Sequence, residues 1–168
     1  MRIHHDEAAH AADFIRLNEA WISECFRLED FDRALARDPM RIVRDGGALI
    51  TMSDGGRVVG GCALFREGAD RFQLARMTVA SAERGKGRGA ILIATALERA
   101  ASMGAGSVYL LTNTRLAPAV HLYRKHGFVP VHEGPHPHYA RCDLVMERQL
   151  APEVGSVASG QGLPVGAS

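Results

Sequence analysis

The chain has 168 residues, 46% hydrophobic and 23% charged, a size and mixture that fit one soluble globular domain with its own core. Its 20 basic side chains nearly balance 19 acidic ones, and the net charge of +1 lacks the cationic surplus on which nucleic-acid affinity depends, so no nucleic-acid partner is expected. No run approaches the ~18 apolar residues of a membrane span, and residues 1–7 hold no apolar leader segment.

Cys25, Cys62 and Cys142 are too scattered for a disulfide framework or a Cys-x-x-Cys site, so a reduced cytoplasm is the expected compartment. His4 and His5 read as a solvated terminus. The recurrence of Phe14, Leu17, Trp21 and Ile22 predicts a helix over residues 8–26, with Arg16, Asn18, Glu19 and Ser23 between the apolar positions. A shorter helix over 30–37 stops before Asp38-Pro39, because the residue before proline avoids helical backbone. Residues 48–53 and 57–66 read as strands joined by the turn Asp54-Gly55-Gly56.

The third strand, 71–79, changes phase along its length. Phe72 and Leu74 are apolar in one phase, Met77 and Val79 in the other. A one-residue slip between Ala75 and Arg76 repairs the alternation, and a β-bulge makes such a slip; a loosely specified edge strand is the alternative. Residues 87–103 form the clearest helix, with Thr95, Glu98, Arg99 and Ser102 as one narrow polar stripe and Gly104 and Gly106 as its stop. Residues 107–112 follow as a short, continuously apolar strand. A helix begins near Pro118 and ends at Gly127, and strands over 128–131 and 141–147 close the pattern. Residues 151–168, built from Gly, Ser, Ala, Pro and Val, read as a flexible tail to a single domain over 1–150.

Between the third strand and the long helix lies Arg84-Gly85-Lys86-Gly87-Arg88-Gly89-Ala90. Glycines allow backbone to approach a ligand, and a helix start offers unpaired N–H groups and a positive dipole end, which suits a pyrophosphate. A nucleoside-triphosphate loop needs Lys-Ser/Thr after its last glycine, whereas Gly89 is followed by Ala90 and Ile91. A dinucleotide fingerprint matches at Gly85, Gly87 and Ala90. Five residues, Ala80 to Arg84, however separate strand from glycine, and the next strand ends in Asn113 rather than an acidic residue. Arg84-x-x-Gly87-x-Gly89 fits a third pattern, Arg/Gln-x-x-Gly-x-Gly/Ala.

With that pattern, and with Leu122-Tyr123-x-x-x-Gly127-Phe128 about thirty residues on, the chain resembles the GNAT superfamily of acyl-CoA-dependent N-acetyltransferases. The resemblance is sharpest over residues 72–131. It implies an α/β (α+β) domain with a mixed, mostly antiparallel sheet flanked by helices. It also implies a bulge in the third strand that splays it from its neighbour, so that the cosubstrate acetyl-CoA inserts between the two. The residues implied for cosubstrate binding are Met77, Thr78 and Val79 on the strand, Arg84, Gly85, Lys86, Gly87, Arg88, Gly89 and Ala90 on the loop, and Asn113 across the cleft. One backbone N–H of Met77 or Val79 would face the thioester oxygen.

Tyr123 is the implied general acid for the departing thiolate; its plain alternative is an aromatic core residue on an amphipathic helix. Unperturbed, a thiol titrates near ~8.5 and a tyrosine near ~10, so proton donation depends on local shifts. Many relatives carry Asn where this chain has Leu116 and Glu where it has Gln73. Glutamine cannot take a proton, which leaves Glu133, His136, His138, Asp143 or a water chain as candidate bases. Gln73, Tyr139 and Arg141 are candidate acceptor contacts. The spacing of His132, His136 and His138 matches no zinc pattern, so no metal is expected, and their loop is expected near the acceptor mouth. Direct transfer to a primary amine, small or on a protein, is the expected activity. An acyl-CoA-binding sensor or partner-binding module with little turnover is the rival, favoured by Gln73. A homodimer would be usual for the family, though no residue pattern here demonstrates one.

Overall fold

The computed structural model describes residues 1–150. Segment 151–168, expected as a flexible tail, lies outside the described residues. The chain opens with the strand β1 (Arg2–His5), a 3-10 turn (Ala8–His10) and α1 (Ala11–Cys25), followed by α2 (Asp30–Arg37) and a single-turn helix α3 (Arg41–Arg44). Three antiparallel neighbours come next: β2 (Ala48–Asp54), β3 (Arg57–Arg66) and β4 (Arg71–Val79). Then come α4 (Arg88–Ser102), β5 (Ser107–Thr112), α5 (Ala117–Lys125), β6 (Val129–Glu133) and β7 (Leu144–Gln149). All seven strands join one sheet in the order β1-β2-β3-β4-β5-β7-β6. Only β4 and β5 run parallel, with α4 as their crossover, so the expected mixed and mostly antiparallel sheet flanked by helices is present.

Alternation along the strands divides the core between the two faces of the sheet. Ile50, Cys62, Leu64, Phe72 and Leu74 pack with Leu92, Ile93, Ala96 and Ala100 of α4 on one face. Leu49 and Ala63 pack with Phe14 of α1 and Ile42 of α3 on the other. Burial of side chains such as Leu92 and Ile93 contributes about 1.5–3 kcal/mol each. Gly61 sets how closely α1 approaches the sheet, because a Cβ there would stand 2.8 Å from the Phe14 ring.

Several expectations need correction. His4 and His5 belong to a paired edge strand, and His4 Nε2 lies 2.8 Å from Ser53 Oγ across it. A four-residue strand with two histidines carries too little alternation to be seen in sequence. α1 begins at Ala11, after the 3-10 turn. The polar face of α4 is broader than one stripe, since Ile91, Ala94 and Ala101 are exposed. Residues 141–143 are a turn rather than strand. There Cys142 N–H donates to Tyr139 O, and the Asp143 carboxylate accepts from Thr114 N–H and Oγ1–H, each at 2.7 Å.

The phase change in β4 is a bulge. Gly61 pairs with Thr78 and Ala63 with Ala75, so Arg76 and Met77 together stand opposite Cys62. Arg76 takes up the extra length with φ +58°, a left-handed conformation that a non-glycine residue adopts at a cost of about 1–3 kcal/mol. On its other side β4 pairs with β5 only through Arg71–Ser107, Phe72–Val108 and Gln73–Tyr109. Beyond Gln73 the two strands diverge, and the gap between them becomes the cleft.

Candidate active site

The cleft has a volume of about 980 Å³ and is walled by the unpaired edge of β4, the end of β5, the loop into α4, and α1, α2 and α5. Its residues fall into a glycine-loop end, a middle and a far end under α1 and α2.

At the glycine-loop end, Gly87 is the N-cap of α4 and has φ +76°; Gly85 has φ +75°. A Cβ on either would meet no atom within 4 Å, so glycine is required there for backbone conformation rather than for space. No side chain caps the helix, so the N–H groups of its first turn lack a capping partner, and Gly87, Arg88, Gly89 and Ala90 line the cleft there. The cations at this end are restrained. Glu83 pairs with Lys86 at 3.3 Å and with Arg88 at 3.2 Å, while Arg84 donates to Val79 O and pairs with Glu24, each at 3.2 Å. Lys86 does not line the cleft; Arg84, Gly85, Gly87, Arg88, Gly89 and Ala90 do.

In the middle, Met77, Thr78 and Val79 line the cleft from β4, Asn113 from the end of β5, and Tyr123 from α5. Asn113 is committed to its own loop: its Nδ2 donates to Arg141 O at 3.1 Å and its Oδ1 accepts from Arg115 N–H at 2.9 Å. Tyr123 is half-buried, its ring tilted at 67° to Phe128 with centroids 6.1 Å apart. Burial pushes its hydroxyl well above the usual tyrosine range, and the nearby Cys62 thiol adds to the shift. Cys62 itself is fully buried opposite the bulge, and burial pushes its thiol up to about 12, so it stays a neutral thiol rather than a nucleophile. Gln73, at the last parallel pair, also lines the cleft.

The far end is an ion cluster built on Asp32, whose side chain is 1% exposed. Arg141 grips it with both nitrogens, Nη1 to Oδ2 at 2.7 Å and Nη2 to Oδ1 at 3.0 Å. Arg76 Nη1 donates to the same carboxylate and to Asn18 Oδ1 at 3.3 Å, while Asn18 Nδ2 donates back to Arg76 O at 3.1 Å. Burial alone would raise the Asp32 carboxyl. The bonds from Arg141 and from Glu29 N–H, with the charges of Arg76 and Arg141, outweigh it and hold the group below the ordinary carboxylate range. Burial likewise draws Arg76 down, opposed chiefly by Asp32. Phe31 lies beneath both guanidinium planes, 5.1 Å from Arg76 Cζ and 4.7 Å from Arg141 Cζ, with Tyr139 edge-on to it at 5.2 Å. His136 packs 4.9 Å from Tyr139, which puts the histidine-bearing loop beside this end of the cleft. Among the described residues no cluster of three or more His, Cys, Asp or Glu could hold a metal ion.

The cleft therefore gathers the residues expected to bind cosubstrate, to donate the proton or to contact the acceptor, except Lys86; of the candidate bases Glu133, His136, His138 and Asp143, none lines it. Sequence reasoning missed Asn18, Phe31, Asp32 and Arg76. Asn18 carried a readable signal, since it stands four residues from both Phe14 and Ile22 and so shares their buried stripe.

The GNAT acetyltransferase family model matches residues 12–128. The chain belongs to that family. Among solved structures it is similar to a GNAT-family acetyltransferase from Staphylococcus aureus, at 16% identity and TM-score 0.79, covering 89% of this chain and 99% of that one. An aminoglycoside 6'-N-acetyltransferase complexed with coenzyme A matches at 17% identity and TM-score 0.72, over 90% and 98% of the two chains. A Salmonella typhimurium protein, provisionally described as an acetyltransferase and bound to acetyl-CoA, matches at 20% identity and TM-score 0.72, over 94% and 98%. At these identities the likeness shows the fold. No curated protein matches the sequence significantly. No helix among the described residues is long and apolar enough to cross a membrane.

Proposed function

We propose that this GNAT member transfers an acetyl group from acetyl-CoA to a primary amine by direct attack, without an acyl-enzyme. The observation that carries the reading is the gap between β4 and β5, which runs from an uncapped helix start to a half-buried tyrosine. The residues present fit the cosubstrate. The N–H groups from Gly87 to Ala90 and the loop glycines suit its pyrophosphate, and the free edge of β4 from Met77 to Val79 suits its amide-bearing arm. Acetyl-CoA supplies an activated thioester. In the transfer an N–C bond forms, the C–S bond breaks, the amine proton leaves to solvent, and the thiolate takes a proton from Tyr123, which solvent replaces.

The upward shift of the Tyr123 hydroxyl runs against giving its proton up, so the phenol acts first as a hydrogen-bond donor to the leaving sulfur and passes a proton on only as solvent replaces it. Backbone N–H groups at Met77 or Val79 would stabilise the charge that develops on the thioester oxygen. The base is water in this reading, because Gln73 cannot take a proton and Glu133, His136, His138 and Asp143 do not line the cleft.

Calorimetric titration of acetyl-CoA is the direct test. Micromolar binding is expected, with NAD giving none and Gly87→Asp losing at least about tenfold through strain at positive φ and repulsion of phosphate. Absence of binding to the intact protein would overturn the reading. Gln73 favours a second reading, an acyl-CoA-binding module with little turnover. Tyr123→Phe separates the two: the enzyme reading expects kcat to fall about 10²-fold or more with the acetyl-CoA Kd nearly kept, and unchanged turnover would remove Tyr123 as the acid.

A further inference from the structure

At the acceptor end of the cleft Arg76 and Arg141 line the wall, whereas Asp32 and Glu29, which balance them, do not. A carboxylate, Glu67, also lines the cleft, and it is engaged by the Tyr109 hydroxyl and by Arg71. Asp32 is saturated: its two oxygens accept four bonds, from Glu29 N–H, Arg76 and both nitrogens of Arg141. Glu29 reaches Arg141 only at 3.7 Å. The guanidinium groups are not saturated. Of five N–H donors on each, Arg76 spends two, on Asp32 and Asn18, and Arg141 spends three, on Asp32 and Arg27 O. Their side chains are 12% and 18% exposed, so the remaining donors sit in a largely desolvated, aromatic-walled recess.

We propose that the acceptor amine carries a carboxylate, bound by the spare donors of Arg76 and Arg141, and an apolar body that lies against Trp21, Phe26 and Phe31. This rests on the acetyl-transfer reading above. Two planar forks fixed on a common buried carboxylate are pre-ordered for a second carboxylate, and little side-chain entropy is lost when it binds. Arg76 adds a positional argument. It belongs to the bulge, next to the Met77 whose backbone would face the thioester, so a carboxylate on Arg76 places its own amine close to the reacting carbon. A polycation meets the same guanidiniums as like charges in a dry site and is disfavoured. The chemical class is an amphipathic amino acid.

The experiment measures coenzyme A release by the intact protein with L-phenylalanine, L-leucine and L-methionine, each against its carboxamide, with phenethylamine and spermidine alongside. The expected result is a kcat/KM about 100-fold higher for each carboxylate than for its carboxamide. Arg141→Gln and Arg76→Gln should bring that ratio toward one, chiefly through KM, with acetyl-CoA affinity unchanged. Should either variant fail to fold, Arg141→Lys retains the charge on Asp32 while removing the planar fork, and the wild-type ratio stands by itself. Equal or faster reaction of the carboxamides, phenethylamine or spermidine overturns the carboxylate and leaves acetyl transfer intact. Acetyl-CoA binding without reaction of any of these amines overturns it as well, whereas failure of acetyl-CoA to bind overturns the acetyl-transfer reading itself.

Discussion

At the glycine-loop end of the cleft, Glu83 holds Lys86 and Arg88 from three and five residues away. At the other end Asp32 gathers Arg76 and Arg141 from 44 and 109 residues away. The first arrangement is local and keeps Lys86 in water; the second joins α2, the bulge of β4 and the turn before β7 around an Asp32 that is almost fully buried. An ion pair near solvent contributes little to stability and mostly shapes a surface. A closed cluster built on one saturated carboxylate holds its members in place, and losing that carboxylate leaves buried charge behind. On the proposed reading the cosubstrate end thus relies on backbone, and the acceptor end on side chains brought together by the fold.

Removing the two carboxylates separately breaks this comparison if the ends are alike. Asp32→Ala should cost about 3 kcal/mol in chemical denaturation, because two partly buried guanidiniums lose their shared partner. The same carboxylate sets an acid response. Its folded-state pKa is depressed, so its contribution is fully present above the ordinary carboxylate pKa and is lost as pH falls through the lower folded value. Asp32→Asn should therefore flatten the loss of stability in strongly acidic buffer. The smallest effect belongs to Glu83→Ala, about 0.5 kcal/mol or less, with acetyl-CoA binding kept or strengthened as Lys86 and Arg88 are released. A Glu83 variant as damaging as the Asp32 variant would erase the distinction between the two ends.

The same contrast governs what could be read from sequence. Gly85, Gly87 and the start of α4 are neighbours in the chain, so the loop that lines the cleft is readable as a motif. The bulge was legible because alternation is a local rule, and its phase slips between Ala75 and Arg76, where the structure puts the extra residue. Tyr123 was legible only within the Leu122-Tyr123…Gly127-Phe128 context. Arg141 was singled out, but its partner was not: Asp32 looks like one more acidic residue in the first turn of a short helix. Arg76 reads as a polar strand residue until its positive φ is seen, and its carbonyl accepts from Asn18, 58 residues earlier. Pairings of this kind leave no periodic trace. The turn at 141–143 was misread as strand for a related reason, since Asp143 spends its carboxylate on Thr114, 29 residues back.

Only three residue pairs connect β4 to β5. Seen as a mechanical part, the sheet is two stiff plates, one of four strands and one of three, joined along a seam about 10 Å long. A seam so short leaves most of the tie between the plates to side chains: Phe72 of one plate and Val108, Leu110, Leu144 and Met146 of the other share a core with Leu92 and Ile93 of α4. The gap is therefore a notch in a sheet whose core is continuous beneath it, and the amides bordering it are where slowed deuterium exchange would report a molecule seated there.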